Sequence, residues 1–144
     1  MSETPVSVRK LVTAIPGPKS QALHAHRLTQ VSAGVGAALP VYIDHAHGAI
    51  LTDVDGNQFI DLGSGIGVVT IGHTNEQVVK AVQEQVAKLT HTLFTVTPYE
   101  PYVRVCELIN KHTPGSFAKK SALFNSGAEA VENAVKFARK FTRK

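Results

Sequence analysis

Asn125-Ser126-Gly127-Ala128-Glu129-Ala130-Val131-Glu132 follows a short apolar run, Ala122-Leu123-Phe124, and opens a helical pattern. Small residues at a strand-to-helix turn let backbone N–H groups approach an anion closely, and the helix N-terminus adds the positive end of its dipole. The stretch reads as a phosphate seat. It also reads as a plain capping box, with Ser126 accepting the Glu129 amide and Gly127 and Ala128 serving only as small first-turn residues. The two readings compete for the same donors, and the surrounding sequence has to decide between them.

Upstream of the turn, Ser121 to Phe124 has the length and composition of a buried strand. A strand that passes through a tight turn into a helix belongs to an α/β sheet, where ligands gather beyond the C-terminal strand ends. The helix that follows places Val131, Ala134, Val135, Ala138 and Phe141 on one stripe, predicted to be its buried face. Two further helices are predicted before it, each from a capping box. Thr74 with Gln77 opens one, striped by Val78, Val82, Val86 and Leu89. Thr97 with Pro98 and Glu100 opens the other, striped by Tyr102, Val105, Cys106 and Ile109, and Pro114-Gly115 ends it. Earlier still, Val41 to Ile43 and Ala49 to Leu51 read as short strands. Asp55-Gly56-Asn57 is a turn, and Phe59 to Leu62 closes a hairpin. A glycine-rich loop, Gly63-Ser64-Gly65-Ile66-Gly67, comes next. Residues 1–19 carry Pro5, Pro16 and Pro18 with little apolar periodicity and read as an extended, partly disordered arm. A short helix is expected between Ser20 and Ser32.

Bulk properties bound the function. A chain of 144 residues, 43% hydrophobic and 18% charged, suffices for one globular unit with a core. A net charge of +4, carried by scattered basic residues with no aromatic interleaving, argues against nucleic-acid binding. The cluster Lys136, Arg139, Lys140, Arg143 and Lys144 suits the C-terminal end of a helix dipole. No apolar run reaches membrane-spanning length and the N-terminus lacks a signal-peptide pattern, so a cytoplasmic location is expected. One cysteine, Cys106, rules out an internal disulfide. On an apolar stripe it reads as an inert core thiol. The pairs His24/His26 and His45/His47 have no third partner in the sequence and read as ordinary histidines rather than a metal site. Asp53, Asp55 and Asp61 read as turn formers. The glycine loop has Val68 where a dinucleotide fingerprint needs its next spacing met, and no long helix opens after it.

Taken jointly, several stretches resemble class III aminotransferases that use pyridoxal phosphate. The run from Asn125 to Arg139 is similar to their phosphate-binding turn and following helix. Asp53 to Gly67 with Gly72-His73 is similar to their N-terminal hairpin and glycine loop. Leu89 to Phe94, Tyr99-Glu100-Pro101-Tyr102 and Phe117 to Lys120 point, within the class, to members that take 4-aminobutyrate as amino donor and 2-oxoglutarate as acceptor. Ornithine, acetylornithine or another ω-amino acid is the alternative donor, and a truncated, non-catalytic phosphate-binding module is the alternative of another kind. The resemblance covers roughly Ser32 onward.

The resemblance implies an α/β fold, the N-terminal part of a fold type I transferase. Its divisions would be an N-terminal arm at 1–31, a small-domain segment with hairpin and glycine loop at 32–72, and the start of the large cofactor-binding domain at 73–144. It implies pyridoxal 5'-phosphate as cofactor, held at its phosphate by Ser126, Gly127 and Ala128. Relatives often carry Ser or Thr at the third position, so Ala128 removes a hydroxyl donor. Ile66 matches a position lining the donor pocket, although a buried loop residue is the simpler reading. The cofactor-binding lysine of the family matches no residue here and is expected beyond Lys144, so no catalytic residue is assigned. A homodimer is implied for the longer protein. With the helical pattern running to the last residue, the sequence has the look of the front of a longer chain.

Overall fold

The Asp53–Asn57 turn organises much of the first part of the molecule. The computed structural model describes residues 9–143, so residues 1–8 of the expected arm, Pro5 among them, lie outside the described residues. The chain divides into two compact units between Lys88 and Leu89. The first holds helix α1 (Pro18–Gln30), strands β1 (Ile43–His47), β2 (Ile50–Asp53) and β3 (Gln58–Ile60), and helix α2 (Glu76–Val86). The three strands form one antiparallel sheet in sequence order. Leu51 pairs with Phe59 and Ala46 with Leu51, and the β1 register is irregular between Ile43 and His45. The first strand therefore begins where the sequence pattern expected it to end. Pairing with β2 fixes it, and His45 and His47 are tolerated because that face is open.

Polar groups close the centre of this unit. The fully buried side chains among the described residues are Ser20, Asp53 and Asn57, and no apolar side chain is fully buried. Asp53 Oδ1 accepts the Asp55 and Asn57 amides at 3.0 and 2.7 Å. Asn57 Oδ1 in turn accepts the Val12 and Thr13 amides at 2.7 and 2.9 Å, while its Nδ2 donates to Thr13 Oγ1 and Asp53 Oδ2. Every polar atom of the Asn57 amide is thereby used, as burial requires. Backbone pairing of Lys10 with Gln58 extends the sheet edge. Residues 9–17 of the expected 1–19 arm are thus tied to the hairpin turn, whereas Pro18 and Lys19, expected to be extended, already belong to α1.

Helix starts differ from the sequence expectation in two of three cases. Asn75, not Thr74, caps α2, its Oδ1 accepting the Gln77 and Val78 amides at 3.1 and 3.3 Å. Thr74 has left-handed φ of 48° and spends its hydroxyl on the Ala46 carbonyl. In the second unit, helix α3 (Glu100–His112) starts after Tyr99, with Pro101 in the first turn and no side-chain cap. The hydroxyl of Thr97 is instead paired with that of Thr92. The third expectation holds: Ser126 caps helix α4 (Gly127–Thr142).

Residues 121–124 form no strand. A strand needs a neighbour to complete its ladder, and among the described residues this run has none. Side chains of α3 hold it instead. Tyr102 Oη accepts the Leu123 amide at 3.0 Å, Ser121 Oγ donates to Asn110 Oδ1 at 2.8 Å, and Cys106 Sγ lies 3.7 Å from the Ser121 carbonyl. Val131, Val135 and Phe141 on α4, expected to be buried, are exposed, Phe141 to 89%. The sequence stripe marks a face made for burial, and among the described residues little lies against it.

Candidate functional site

Two sites emerge, one in each unit. In the second unit Ser126, in extended conformation (φ −146°, ψ 159°), points its hydroxyl back into the first turn of α4, where Oγ accepts the Glu129 amide at 3.2 Å. Glu129 reaches back one residue further than an ordinary capping box, its Oε2 accepting the Asn125 amide at 2.8 Å. The Ser126 carbonyl takes the Ala130 amide at 3.0 Å. These bonds leave the amides of Gly127 and Ala128 with no partner among the described residues. The Ser126 hydroxyl proton is also uncommitted, because Oγ is used as an acceptor. The cap and an anion seat therefore draw on different groups, and the competition inferred from sequence does not arise. A Cβ placed on Gly127 would meet nothing within 4 Å, so the space over the turn is open. Ala128 adds its amide alone.

Sequence reasoning missed what supports this turn. Phe94 stacks on Tyr102 with ring centroids 4.1 Å apart, and Tyr99 packs edge-on against Phe94 at 5.5 Å. The hydroxyl of Tyr102 then holds Leu123, two residues before Asn125. The motif stretches 89–94, 99–102 and 121–125 are thus one connected assembly. Only the joint presence of the aromatic residues hinted at it; a tyrosine hydroxyl holding a strand-like backbone has no periodic signature.

The first unit carries the second site. Ser64, Gly65, Ile66 and Gly67 all have left-handed φ, between 46° and 74°. They form a single left-handed turn, closed by the Ile66 amide on the Gly63 carbonyl and the Val68 amide on the Ser64 carbonyl, each at 2.8 Å. For residues with a Cβ, such as Ser64 and Ile66, this region costs about 1–2 kcal/mol each. The turn presents Ile66 outward, 98% exposed, and not as the buried loop residue of the simpler reading.

Asp61 opposes the strain in the turn. Its Oδ1 accepts the Gly63 and Ser64 amides at 3.0 and 2.8 Å, and Oδ2 lies 2.7 Å from His73 Nε2. An ionised carboxylate only accepts, so Nε2 carries the proton of this bond. The His73 bond is the largest influence on the Asp61 carboxyl, followed by the Ser64 amide. Against partial desolvation they hold it below its ordinary value. His73 is itself fixed by a backbone bridge, its amide on the Gly48 carbonyl at 2.8 Å and the Gly48 amide on its own carbonyl at 3.0 Å. Gly72 makes this approach possible: a Cβ there would come within 3.2 Å of Gly48 Cα.

Other candidates are accounted for. His47 Nδ1 is 3.1 Å from Thr74 Oγ1 and His45 pairs with exposed Asp44. Among the described residues no group of three or more potential metal ligands occurs. No helix there is long and apolar enough to cross a membrane. Lys136 pairs with Glu132 at 2.6 Å on the exposed side of α4.

Both turns lie within the stretch of the chain that matches a known family. The class-III aminotransferase family matches residues 31–144, and the chain belongs to that family. Among its relatives, the 4-aminobutyrate aminotransferase of Mycobacterium tuberculosis (strain ATCC 25618 / H37Rv) is 62% identical over 136 residues, 94% of this chain and 30% of the relative. A 5-aminovalerate aminotransferase of Pseudomonas putida is 48% identical over 123 residues, 85% of this chain and 29% of the relative. The crystal structure of acetylornithine aminotransferase from Elizabethkingia anophelis superposes with a TM-score of 0.77 at 30% identity, over 85% of this chain and 31% of that one. The chain thus spans about a third of the length of the proteins it matches, and its fold is the N-terminal part of fold type I.

Proposed function

We propose that this chain is the N-terminal part of a 4-aminobutyrate aminotransferase, which passes the amino group of 4-aminobutyrate to 2-oxoglutarate with pyridoxal 5'-phosphate. The observation that carries the donor is the 62% identity, over nearly the whole chain, to a 4-aminobutyrate aminotransferase. The open helix start supports the cofactor: Gly127 and Ala128 offer two amides unpaired among the described residues, and Ser126 a hydroxyl proton, at the positive end of α4. When bound, the cofactor supplies an electron sink that makes the carbon bearing the amino group acidic.

The chain's own residues bind and orient. The amides of Gly127 and Ala128 and the hydroxyl of Ser126 hold the phosphate. Glu129 ties Asn125 and keeps the turn in shape. Ile66 lends an apolar wall to the methylene chain of the donor. The lysine that moves the proton is expected in the rest of the enzyme, and the 144 residues alone are expected to be inactive. The division into a small-domain segment at 32–72 and the start of the large domain at 73–144 belongs to the same proposal. So do a homodimeric assembly and a cytoplasmic location.

The 48% identity to a 5-aminovalerate aminotransferase favours a second reading, a donor one methylene longer. The full-length protein, loaded with the cofactor and assayed with 4-aminobutyrate, 5-aminovalerate and ornithine against 2-oxoglutarate, decides between them. Highest kcat/KM with 4-aminobutyrate is expected. Preference for either longer donor overturns the assignment, and absence of amino transfer with all three overturns the reaction.

A further inference from the structure

We propose that Asp61 and His73 are positioning residues for donor selection, clamping the left-handed turn Ser64–Gly67 so that Ile66 stands at one fixed height. The inference rests on the aminotransferase reading for what Ile66 faces; the clamp itself is geometric. Ser64 and Ile66 hold a backbone conformation that residues with a Cβ avoid. Nothing apolar anchors the turn at its tip, since Ile66 is almost wholly exposed. Its restraint comes from beneath. Asp61 binds the two amides that enter the turn and His73 binds Asp61. The sheet holds both: the Asp61 amide bonds to the Ala49 carbonyl at 2.9 Å, and the His73 backbone bridges to Gly48.

The links run in series, from the β1–β2 connection to His73, to the Asp61 carboxylate, to the Gly63 and Ser64 amides, and so to Ile66. Neither Asp61 nor His73 needs to touch a donor for this to work. Both side chains are largely enclosed, at 12% and 23% exposure. A wall whose height is set this way distinguishes donors by length. If the clamp loosens, Ile66 becomes mobile, and discrimination between four- and five-carbon donors falls while the amino-transfer chemistry itself is untouched.

The test uses full-length, cofactor-loaded enzyme carrying His73→Leu, His73→Gln, Ile66→Ala, and His73→Leu with Ile66→Ala. Gln keeps a side-chain N–H for Asp61 and Leu does not. For His73→Leu the ratio of kcat/KM for 4-aminobutyrate over 5-aminovalerate should fall about tenfold, the lower end of what one methylene is worth in a pocket. The change should lie mainly in KM, and His73→Gln should recover most of it. In the Ile66→Ala background, adding His73→Leu should leave the ratio unchanged, because both act through one wall. Hydrogen exchange supplies a readout independent of turnover: the Gly63 and Ser64 amides should lose protection in His73→Leu and keep it in His73→Gln. An unmoved donor ratio with active His73→Leu, or additive effects with Ile66→Ala, overturns the proposal. If His73→Leu does not fold, an altered ratio in His73→Gln as large as that of Ile66→Ala overturns it equally. Wild-type enzyme inactive on all donors would instead count against the aminotransferase reading, and the exchange result would still judge the clamp.

Discussion

Asp55 caps helix α1 at a distance in sequence, and Gly17 is the residue that lets it. The two carboxylate oxygens accept the Lys19 and Ser20 amides at 2.8 and 2.9 Å, the latter 35 positions away. Gly17, the residue before the helix, supplies no side-chain cap of its own. A Cβ on Gly17 would fall within 2.5 Å of Asp55 Oδ2 and 2.6 Å of Thr13 Oγ1. The missing side chain is the space the carboxylate occupies. Gly17→Ala should therefore expel the carboxylate and cost about 1–3 kcal/mol by overpacking, visible as a lowered melting temperature. Gly17→Ala combined with Asp55→Ala should cost less than the sum of the two changes. Additive losses would show that the clash is not with Asp55.

Acid should undo the same contact. Partial desolvation pulls the Asp55 carboxyl upward. The Ser20 and Lys19 amides, the Ser20 hydroxyl and the Lys19 charge together outweigh it, and hold the group below its ordinary value. A folded-state pKa below the unfolded value means the contribution is complete above the unfolded pKa, about 3.9 for Asp. It is lost as pH falls through the folded-state value. Asp61 behaves likewise, through His73 and the Ser64 amide. Hydrogen exchange of the Lys19 and Ser20 amides, corrected for the intrinsic rate, should lose protection below about pH 4 and be flat above it. In Asp55→Asn this step should vanish. A step centred near neutrality would assign the control to another group.

Asn57 should be the least replaceable residue of the hairpin. It is fully buried and its amide serves Val12, Thr13 and Asp53. Asn57→Ala leaves Asp53 Oδ2 short of a donor and two backbone amides without an acceptor, at about 1–3 kcal/mol for each group that water cannot reach. The loss should appear locally first, as proteolytic access to residues 9–17. Resistance equal to wild type would mean that the Lys10–Gln58 pairing alone holds the segment.

Parts of this were legible in the sequence and parts were not, for physical reasons. Ser126 and Glu129 were readable because a capping box is local: both partners lie within four positions. The turn at 55–57 was readable because Gly56 is suited to its positive φ of 87°. Thr74 was misassigned because Thr74 and Asn75 are both competent caps, and the Ala46 carbonyl, 28 positions away, claims the first. The role of Asp55 was invisible for the same reason, its partners being 36 and 35 positions distant. The composition of 121–124 predicts a strand, yet a strand is a relation between two segments, and the described residues supply α3 side chains in place of a neighbour. The left-handed backbone of Ile66 has no signature in the sequence, since isoleucine is the last residue a turn rule would place there.

Gly127→Pro separates the phosphate seat from the cap. Gly127 is the first residue of α4, a position where proline is well accepted because its N–H has no helical partner. The residue before a proline must be extended, and Ser126 already is, at φ −146° and ψ 159°. Nothing lies within 4 Å of a Cβ at Gly127, so the first ring carbon meets no obstacle. The substitution therefore leaves the Ser126–Glu129 bond in place and removes one amide donor. If that amide holds an anion, the loss of one hydrogen bond to a charged group, about 1.5–3 kcal/mol, should weaken pyridoxal phosphate binding by roughly 10- to 150-fold. Melting of the cofactor-free protein should stay near wild type. Ser126→Ala gives the contrasting pattern, because it removes both the cap, at about 1 kcal/mol, and the hydroxyl donor, so stability and binding should fall together. Full cofactor affinity in Gly127→Pro would place the phosphate on other groups.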